Sequence, residues 1–453
     1  VKNKWIPLFF LCALVGCYPQ ADKKSDAIFT QIKDQISPLS EGEIYWNSDS
    51  KVIEEVSLEE LLKEDLTVEK AVQIALLNNP SLQAEYEKIG IASAKYRQAG
   101  LLQNPFFMFN YQFASSSAST DQINLNIIQN FLEIFLLPLK KKVASQEILL
   151  LKNDILEKIV DLIAQTKIAF HTVQIDHSIL DLRKKIAELK HLSYEAALLL
   201  RCAGNTSPLF IAEKKMEFER AKLALTTAEN AFFNSKEDLN VLMGVWGKDI
   251  HWSFDPHIEP LSTPSTLISE CEKHSIQNNF QLKNRFERMK QRAAELSIDT
   301  TSLLFPEISF GYSSNYQDYV WCIGPQVSIN LPIFDIGKVQ SMKAKAEIAY
   351  LWKQFTSEAV TLRSIVRRAT DNFYYCHNQA LLIEEQILPT VQKVFNETII
   401  QHNDLNLSLF DLLQAKEEVF EKQITLLEKQ SQLYRKTLFL QALSRGVVLS
   451  ENF

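Results

Sequence analysis

One stretch of this chain occurs twice, and any fold must accommodate both copies. The first reads L-T-V-E-K-A-V-Q-I-A-L-L-N-N-P-S-L-Q-A-E-Y-E-K from Leu66 and ends A-G-L-L-Q-N-P at Pro105. The second reads L-I-S-E-C-E-K-H-S-I-Q-N-N-F-Q-L-K-N-R-F-E-R from Leu267 and ends T-S-L-L-F-P at Pro306. Asn79 corresponds to Asn279, and Pro105 to Pro306. Two widely spaced copies are too few for a solenoid, so they read as two halves of one fold.

Both copies open the same series of elements. Thr67 is placed as an N-cap, with Lys70 where a Glu would complete a capping box. Asn79-Pro80 marks a break, and a second helix follows over 81–99. After Pro105 the period changes to two. Phe107, Phe109, Tyr111 and Phe113 alternate with Met108, Asn110 and Gln112. Beyond a Ser/Ala/Thr turn over 115–120, Ile123, Leu125 and Ile127 alternate with Asn124 and Asn126. The second half repeats the plan: Ile308, Phe310 and Tyr312, a loop near Gln317-Asp318, then a return strand over 320–329. About ten residues per strand is the length of a transmembrane β-strand. Two hairpins on a soluble domain would have the same length, so both readings stay open on this signal.

Each hairpin hands over to a very long helix. Between Leu139 and Leu200 there is no proline or glycine. Ile155, Ile159, Leu162, Ala169, Val173 and Leu180 fall on coiled-coil spacing, with Thr166 and Asp176 as polar steps. Leu156, Ile163 and Phe170 form a second stripe, which calls for neighbours on both sides. About sixty residues at 1.5 Å each would reach roughly 90 Å. The run breaks at C-A-G-N-T-S-P over 202–208, and a return helix reaches about Met243. The second half gives a helix over 339–402 interrupted at Pro389, a turn N-D-L-N-L-S, and a return helix over 409–444. Helices this long must form a bundle, stalk or tube. Strands cross a membrane only in a closed barrel, where no edge is left unpaired. Four strands cannot close one, so membrane-spanning hairpins would require several copies. Three copies would supply twelve strands, an acceptable even count.

The first residues set the compartment. Lys2 and Lys4 precede a short apolar run from Ile6 to Val15, the layout of a secretory signal peptide. The following L-V-G-C resembles the lipobox of bacterial lipoproteins, with Cys17 as the lipidated residue. Tyr18 after it, rather than Asp, points to the outer membrane. Residues 18–63 read as an irregular, polar lead-in. No later stretch has about twenty consecutive apolar residues, so no transmembrane helix is expected after the signal.

Several function classes lack support. A net charge of -7 argues against nucleic acid as a partner. Only 11 glycines in the 453 residues, with abundant Leu, Ala, Glu, Lys and Gln, favour long helices over α/β layers. Cys202, Cys271, Cys322 and Cys376 show no C-x-x-C, and neither His171 with His177 nor His251 with His257 makes a metal-ligand set. There is no Walker loop, G-x-G-x-x-G or G-x-S-x-G. No enzyme activity, cofactor or metal is expected.

The whole order resembles the TolC family of outer-membrane efflux channels. The resemblance rests on the repeated stretch, on L-P-I-F-D-I-G-K at 331–338 before a helix with A-K-A-E, and on L-F-D-L-L-Q-A at 409–415. A-G-L-L-Q-N-P and A-G-N-T-S-P are similar to the heavy-metal efflux branch. The resemblance implies a homotrimer with a twelve-stranded barrel in outer-membrane lipid and a helical tube in the periplasm. A periplasmic adaptor protein and an inner-membrane transporter are the implied partners. It implies adaptor docking at Gly204, Asn205, Thr206 and Ser207, and at Asn406, Leu407 and Ser408. It also implies a ring of carboxylates at the closed tip, with Asp404 as first candidate and Asp411 as second; a turn-capping role is the alternative for Asp404, and an intersubunit hydrogen bond for Asp411. The second tip lacks the customary glycine. Pro332 and Phe334 mark a strand-to-helix elbow, and Tyr111, Phe113, Tyr312, Tyr316 and Trp321 an aromatic girdle. A protein-secretion channel and a non-channel coiled-coil scaffold are the alternatives.

The expected protomer is therefore mainly α with a small β part. Its expected divisions are a signal peptide at 1–16, a lipidated lead-in at 17–65, a first repeat at 66–245 with hairpin 106–130 and tip 202–208, and a linker at 246–264. A second repeat at 265–446 has hairpin 307–331 and tip 402–408, and 447–453 form a tail.

Overall fold

The computed structural model describes residues 22–36, 62, 64–114, 120–130, 132–258, 265–304, 308–317, 320–329 and 338–449. The first half comprises α1 (Asp22–Ile36), α2 (Val68–Asn78), α3 (Pro80–Gln98), β1 (Phe106–Gln112), β2 (Gln122–Asn130), α4 (Leu132–Cys202) and α5 (Pro208–Met243). The second comprises α6 (Ser265–Asn278), α7 (Phe280–Leu304), β3 (Ile308–Gln317), β4 (Val320–Ile329), α8 (Lys338–Leu382), a π-helical turn (Ile383–Ile387), α9 (Leu388–Asn403) and α10 (Leu409–Ser444).

The chain divides into two compact units. One takes in residues up to 35 with 87–152 and 291–343, and contains the sheet. Both hairpins join it in the order β1-β2-β3-β4, antiparallel throughout. At Gly311 the strands pack so closely that a Cβ would collide with the Ile127 carbonyl oxygen.

The other unit contains the helical core, and each half builds its share from equivalent positions. In the first half, Ala71 and Ile74 of α2 pack with Phe170 and Val173 of α4, Leu239 and Met243 of α5, and Trp252. In the second, Cys271 and Leu282 pack with Leu362, Val366, Ala369 and Phe373 of α8 and Leu440 and Leu443 of α10. The expected stripes are core: Ile155, Ile159, Leu156, Ile163 and Phe170 are all buried, and each large aliphatic among them contributes about 2 kcal/mol.

The repeated Asn-Asn pair has a defined role in this unit. Asn79 caps α3, its Oδ1 accepting from Leu82 N (3.0 Å), while its Nδ2 donates to Leu242 O (2.8 Å). Asn279 does the same, accepting from Leu282 N (2.8 Å) and donating to Gly446 O (3.3 Å). Asn78 and Asn278 tie down the same return-helix ends through Gly244 O (2.7 Å) and Ser444 O (3.2 Å). Gly244 and Gly446 are both left-handed there (φ 68 and 94). A methyl at Gly244 would stand 2.6 Å from Asn78 O, and one at Gly446 would collide with Asn278 O. Thr67 is the N-cap of α2 as expected, accepting from Lys70 N at 3.3 Å.

Three expectations are corrected. The lead-in is not irregular throughout: 22–36 form α1, with Ile28 and Ile32 buried one turn apart. The first long helix starts at Leu132 rather than 139 and runs through Pro138, which gives up the hydrogen bond to Ile134 O and crowds that carbonyl. The second long helix is interrupted before Pro389, at the π-helical turn 383–387. That turn inserts one residue. Glu147 and Glu347, or Leu162 and Leu362, are 200 apart, whereas beyond the turn Gly204 and Leu405, or Ser207 and Ser408, are 201 apart. Residues 1–21, the turn 115–119, Asp318, most of the elbow motif with Pro332 and Phe334, and Cys17 lie outside the described residues.

Candidate functional site

Two places concentrate features that a soluble helical protein would not need. The first is the sheet. Its register puts Phe107, Phe109, Tyr111, Ile123, Leu125, Ile127, Tyr312, Tyr316, Trp321 and Ile323 on one face. Met108, Asn110, Asn124, Asn126, Ser313, Asn315, Cys322 and Gln326 share the other face. No strand residue is charged. The apolar face is open: Phe107 and Phe109 are each 59% exposed and Ile323 60%. An apolar surface of this extent marks a membrane or protein contact. The girdle aromatics Tyr111 and Phe113 touch edge-on at 4.7 Å, and Tyr316 and Trp321 lie 5.1 Å apart. Both β1 and β4 are outer strands with one side unpaired among the described residues. Among the described residues no helix is long and apolar enough to cross a membrane.

The second place is the pair of helix tips. At the first, α4 ends with Gly204 in the left-handed region (φ 77), and Asn205 N closes the turn on Leu200 O (2.9 Å). Arg201 Nη1 donates to Thr206 O (3.1 Å), and Ser207 caps α5 by accepting from Phe210 N (3.2 Å). At the second, Leu405 takes the left-handed position (φ 61), and Asn406 N closes on Gln401 O (2.9 Å). His402 Nδ1 is 3.0 Å from Leu407 O, in the role of Arg201. Ser408 and Asp411 form a full capping box: Ser408 N and Oγ donate to the Asp411 carboxylate (2.9 and 2.6 Å), and Asp411 N donates to Ser408 Oγ (3.3 Å). Those bonds, with Lys214 nearby, hold the Asp411 carboxyl below its usual range. Asp404 is the exposed C-cap of α9, its N–H donating to Ile400 O (3.0 Å). The structure thus brings both sets of expected tip residues together. Phe210 and Phe410 meet edge-on at 5.0 Å, with Lys214 over both rings.

Beneath the tips, charges tie three helices together. Lys190 of α4 bridges Glu217 of α5 (3.0 Å) and Glu417 of α10 (2.5 Å). Lys214 also reaches Glu217, and Arg183 pairs with Glu421. Burial pulls Lys190 down, but its bonds to Glu417 and Glu217 outweigh that and its charge is stabilised. Sequence reading missed this network and the Phe210–Phe410 contact. The available signal was proximity to the two tips, once their offset was known.

Among the described residues no group of three or more His, Cys, Asp or Glu could hold a metal ion. The four scattered cysteines in the described residues are free thiols.

No family model matches the sequence. The cobalt-zinc-cadmium resistance protein CzcC of Cupriavidus metallidurans is 20% identical over 377 residues, covering 82% of this chain and 88% of that protein. Among solved structures, a membrane protein from Pseudomonas aeruginosa superposes with a TM-score of 0.67 at 16% identity, covering 83% of this chain and 92% of that one. The CmeC outer membrane channel of Campylobacter jejuni gives 0.67 at 13% identity, covering 85% and 87%.

Proposed function

From a fold shared with the TolC-type outer-membrane channels, we propose that this chain is the outer-membrane channel of a tripartite efflux system. The single observation that carries the reading is the sheet. It has one open aromatic face, one largely polar and uncharged face, and, among the described residues, two unpaired edges. Lipid suits the first face and water the second, and strands from other copies suit the edges. Three copies of the four-stranded sheet close one twelve-stranded barrel. The helical part then stands in the periplasm, with Cys17 as its lipid anchor.

The channel is passive. An inner-membrane transporter supplies the energy, and a periplasmic adaptor docks at Gly204, Asn205, Thr206 and Ser207, and at Asn406, Leu407 and Ser408. Asp404 is the better gate candidate, because the Asp411 carboxylate is engaged in its own cap. Three exposed Asp404 carboxylates around one axis would favour cations. Divalent heavy-metal cations are the proposed substrate class, supported by the relation to CzcC.

The test is conductance across a planar bilayer by the detergent-purified oligomer. Steady single-channel steps are expected, with Asp404→Asn weakening block by multivalent cations added on the periplasmic side. A monomer with no conductance would refute the channel reading. An unchanged block would remove Asp404 from the gate.

A further inference from the structure

The unit that holds the sheet also holds a basic collar, and this collar has no part in conduction or tip docking. The strands carry no charge, but lysines cluster in the third turn of α4 and in the first two turns of α8. Helix α4 begins L-E-I-F-L-L-P-L, with Phe135 73% exposed, and then presents Lys140, Lys141 and Lys142. After Glu133 its next acid is Glu147, which is already paired with Lys95 (2.5 Å). Helix α8 begins with Lys338 and continues through exposed Val339 and Met342 to Lys343; its first acid is Glu347. A lysine at the first position of α8, with no acid in that turn, runs against the helix dipole. Both basic stretches end at the duplicated glutamates Glu147 and Glu347. The turn that closes α3 completes the arrangement. Gly100 lies so close to Lys141 that a Cβ there would collide with its Cε, and Leu101 beside it is 65% exposed. Arg97 sits in the last turn of α3.

Exposed apolar side chains followed within two to three helical turns by several lysines match the order of a membrane interface carrying negative charge. At the opposite end of the sheet, Asp121 precedes β2 instead. We propose that Lys140, Lys141, Lys142, Lys338 and Lys343 form a collar that binds anionic phospholipid headgroups of the leaflet on the helical side of the barrel. The inference rests on the sheet being the membrane-embedded part. Charge complementarity and continuity with the apolar sheet face select lipid over a protein partner.

The experiment places the full-length purified oligomer in vesicles of phosphatidylglycerol or of phosphatidylcholine with the same acyl chains. Lipid preference is read by competition for the protein-bound annulus at low and high salt. Wild type is expected to prefer phosphatidylglycerol at least about tenfold, since one near-surface lysine gives roughly fivefold. High salt should reduce the preference. Replacing all five lysines by Gln should abolish it while insertion into phosphatidylcholine persists, and replacing them by Arg should restore it. Insertion without lipid preference in wild type would overturn the collar and leave the channel reading intact. Retained preference in the Gln variant would also overturn the collar. Insertion into neither vesicle would overturn both readings.

Discussion

The two tips follow one plan with different residues. The first uses Gly204 at the left-handed position, where glycine fits without strain; the second puts Leu405 there, 92% exposed. Arg201 holds the first turn and His402 the second. The arms behind them also differ. Helix α4 runs unbroken to the first tip and buries Ile186, Ala187, Ser193 and Ala197 on the way. The corresponding arm has a π-helical turn, Pro389, and then α9, which buries nothing in the protomer. Packing supplies most helical stability in proteins, so the second arm draws less of its stability from its own protomer than the first does. The comparison teaches that duplication preserved backbone geometry at the tips while letting the local stability of the two arms diverge.

The largest test is at the return-helix ends, where the halves are most alike. Gly446→Ala should cost roughly 3 kcal/mol or more, because strain at positive φ adds to a collision with Asn278 O. Gly244→Ala should cost somewhat less, its methyl standing 2.6 Å from Asn78 O. Chemical denaturation of the purified oligomer reads both, and a negligible cost at either glycine would undo the equivalence drawn between the clamps.

Acid should separate the halves next. His171 is buried in the first-half core, stacked on Tyr434 at 3.8 Å, and the equivalent position in the second half is the exposed Asp371. Burial, aided by Arg435, pulls His171 down to about 4. An unfolded chain binds that proton near pH 6.5 and the folded one only near 4, so stability falls as pH drops through this window and levels off below it. The loss should approach about 3 kcal/mol. His171→Phe keeps the ring stack and should flatten this part of the pH profile; an unchanged profile would refute the assignment.

At the tips, Leu405→Gly should relieve about 1 kcal/mol of strain, and Gly204→Leu should introduce a similar amount. Hydrogen exchange over 400–408 and 200–207 would report the two changes with opposite signs. The smallest difference is in the caps. Ser408→Ala and Ser207→Ala should each cost about 1 kcal/mol, with the larger loss at Ser408, whose capping box has a second member. Equal losses would show that Asp411 adds nothing to its cap.

Much of this was legible in the residues. The return helices, both tips and both hairpins lie where periodicity and turn chemistry put them, because long apolar stripes and Pro/Gly/Asn/Ser punctuation act locally. Helix α1 was missed although Ile28, Ile32 and Ile36 fall on helical spacing, because the polar surroundings and the nearby Pro38 and Gly42 made the whole lead-in read as irregular. The start of α4 was set too late because Pro138 reads as a boundary, whereas the helix continues through it. The π-helical turn was visible only as a change of offset along the long helices, from 200 at Glu147 and Glu347 to 201 at Ser207 and Ser408. The pairing within the Lys190 network was not legible, because it depends on which helices lie side by side; only its nearness to the two tips was.

The central claim is that separate copies close one barrel through the free edges of β1 and β4. Native Cys322 already lies on the polar face of β4 and is exposed. Phe106→Cys, Met108→Cys, Asn110→Cys and Gln112→Cys, made singly on β1 with Cys202, Cys271 and Cys376 changed to Ala, scan the facing edge for oxidative cross-linking in membranes. The account predicts covalent dimers and trimers, and nothing larger, for at least one β1 position, with none in the chain lacking the β1 cysteine. Monomers at every position, from protein that still reaches the membrane folded, would contradict it.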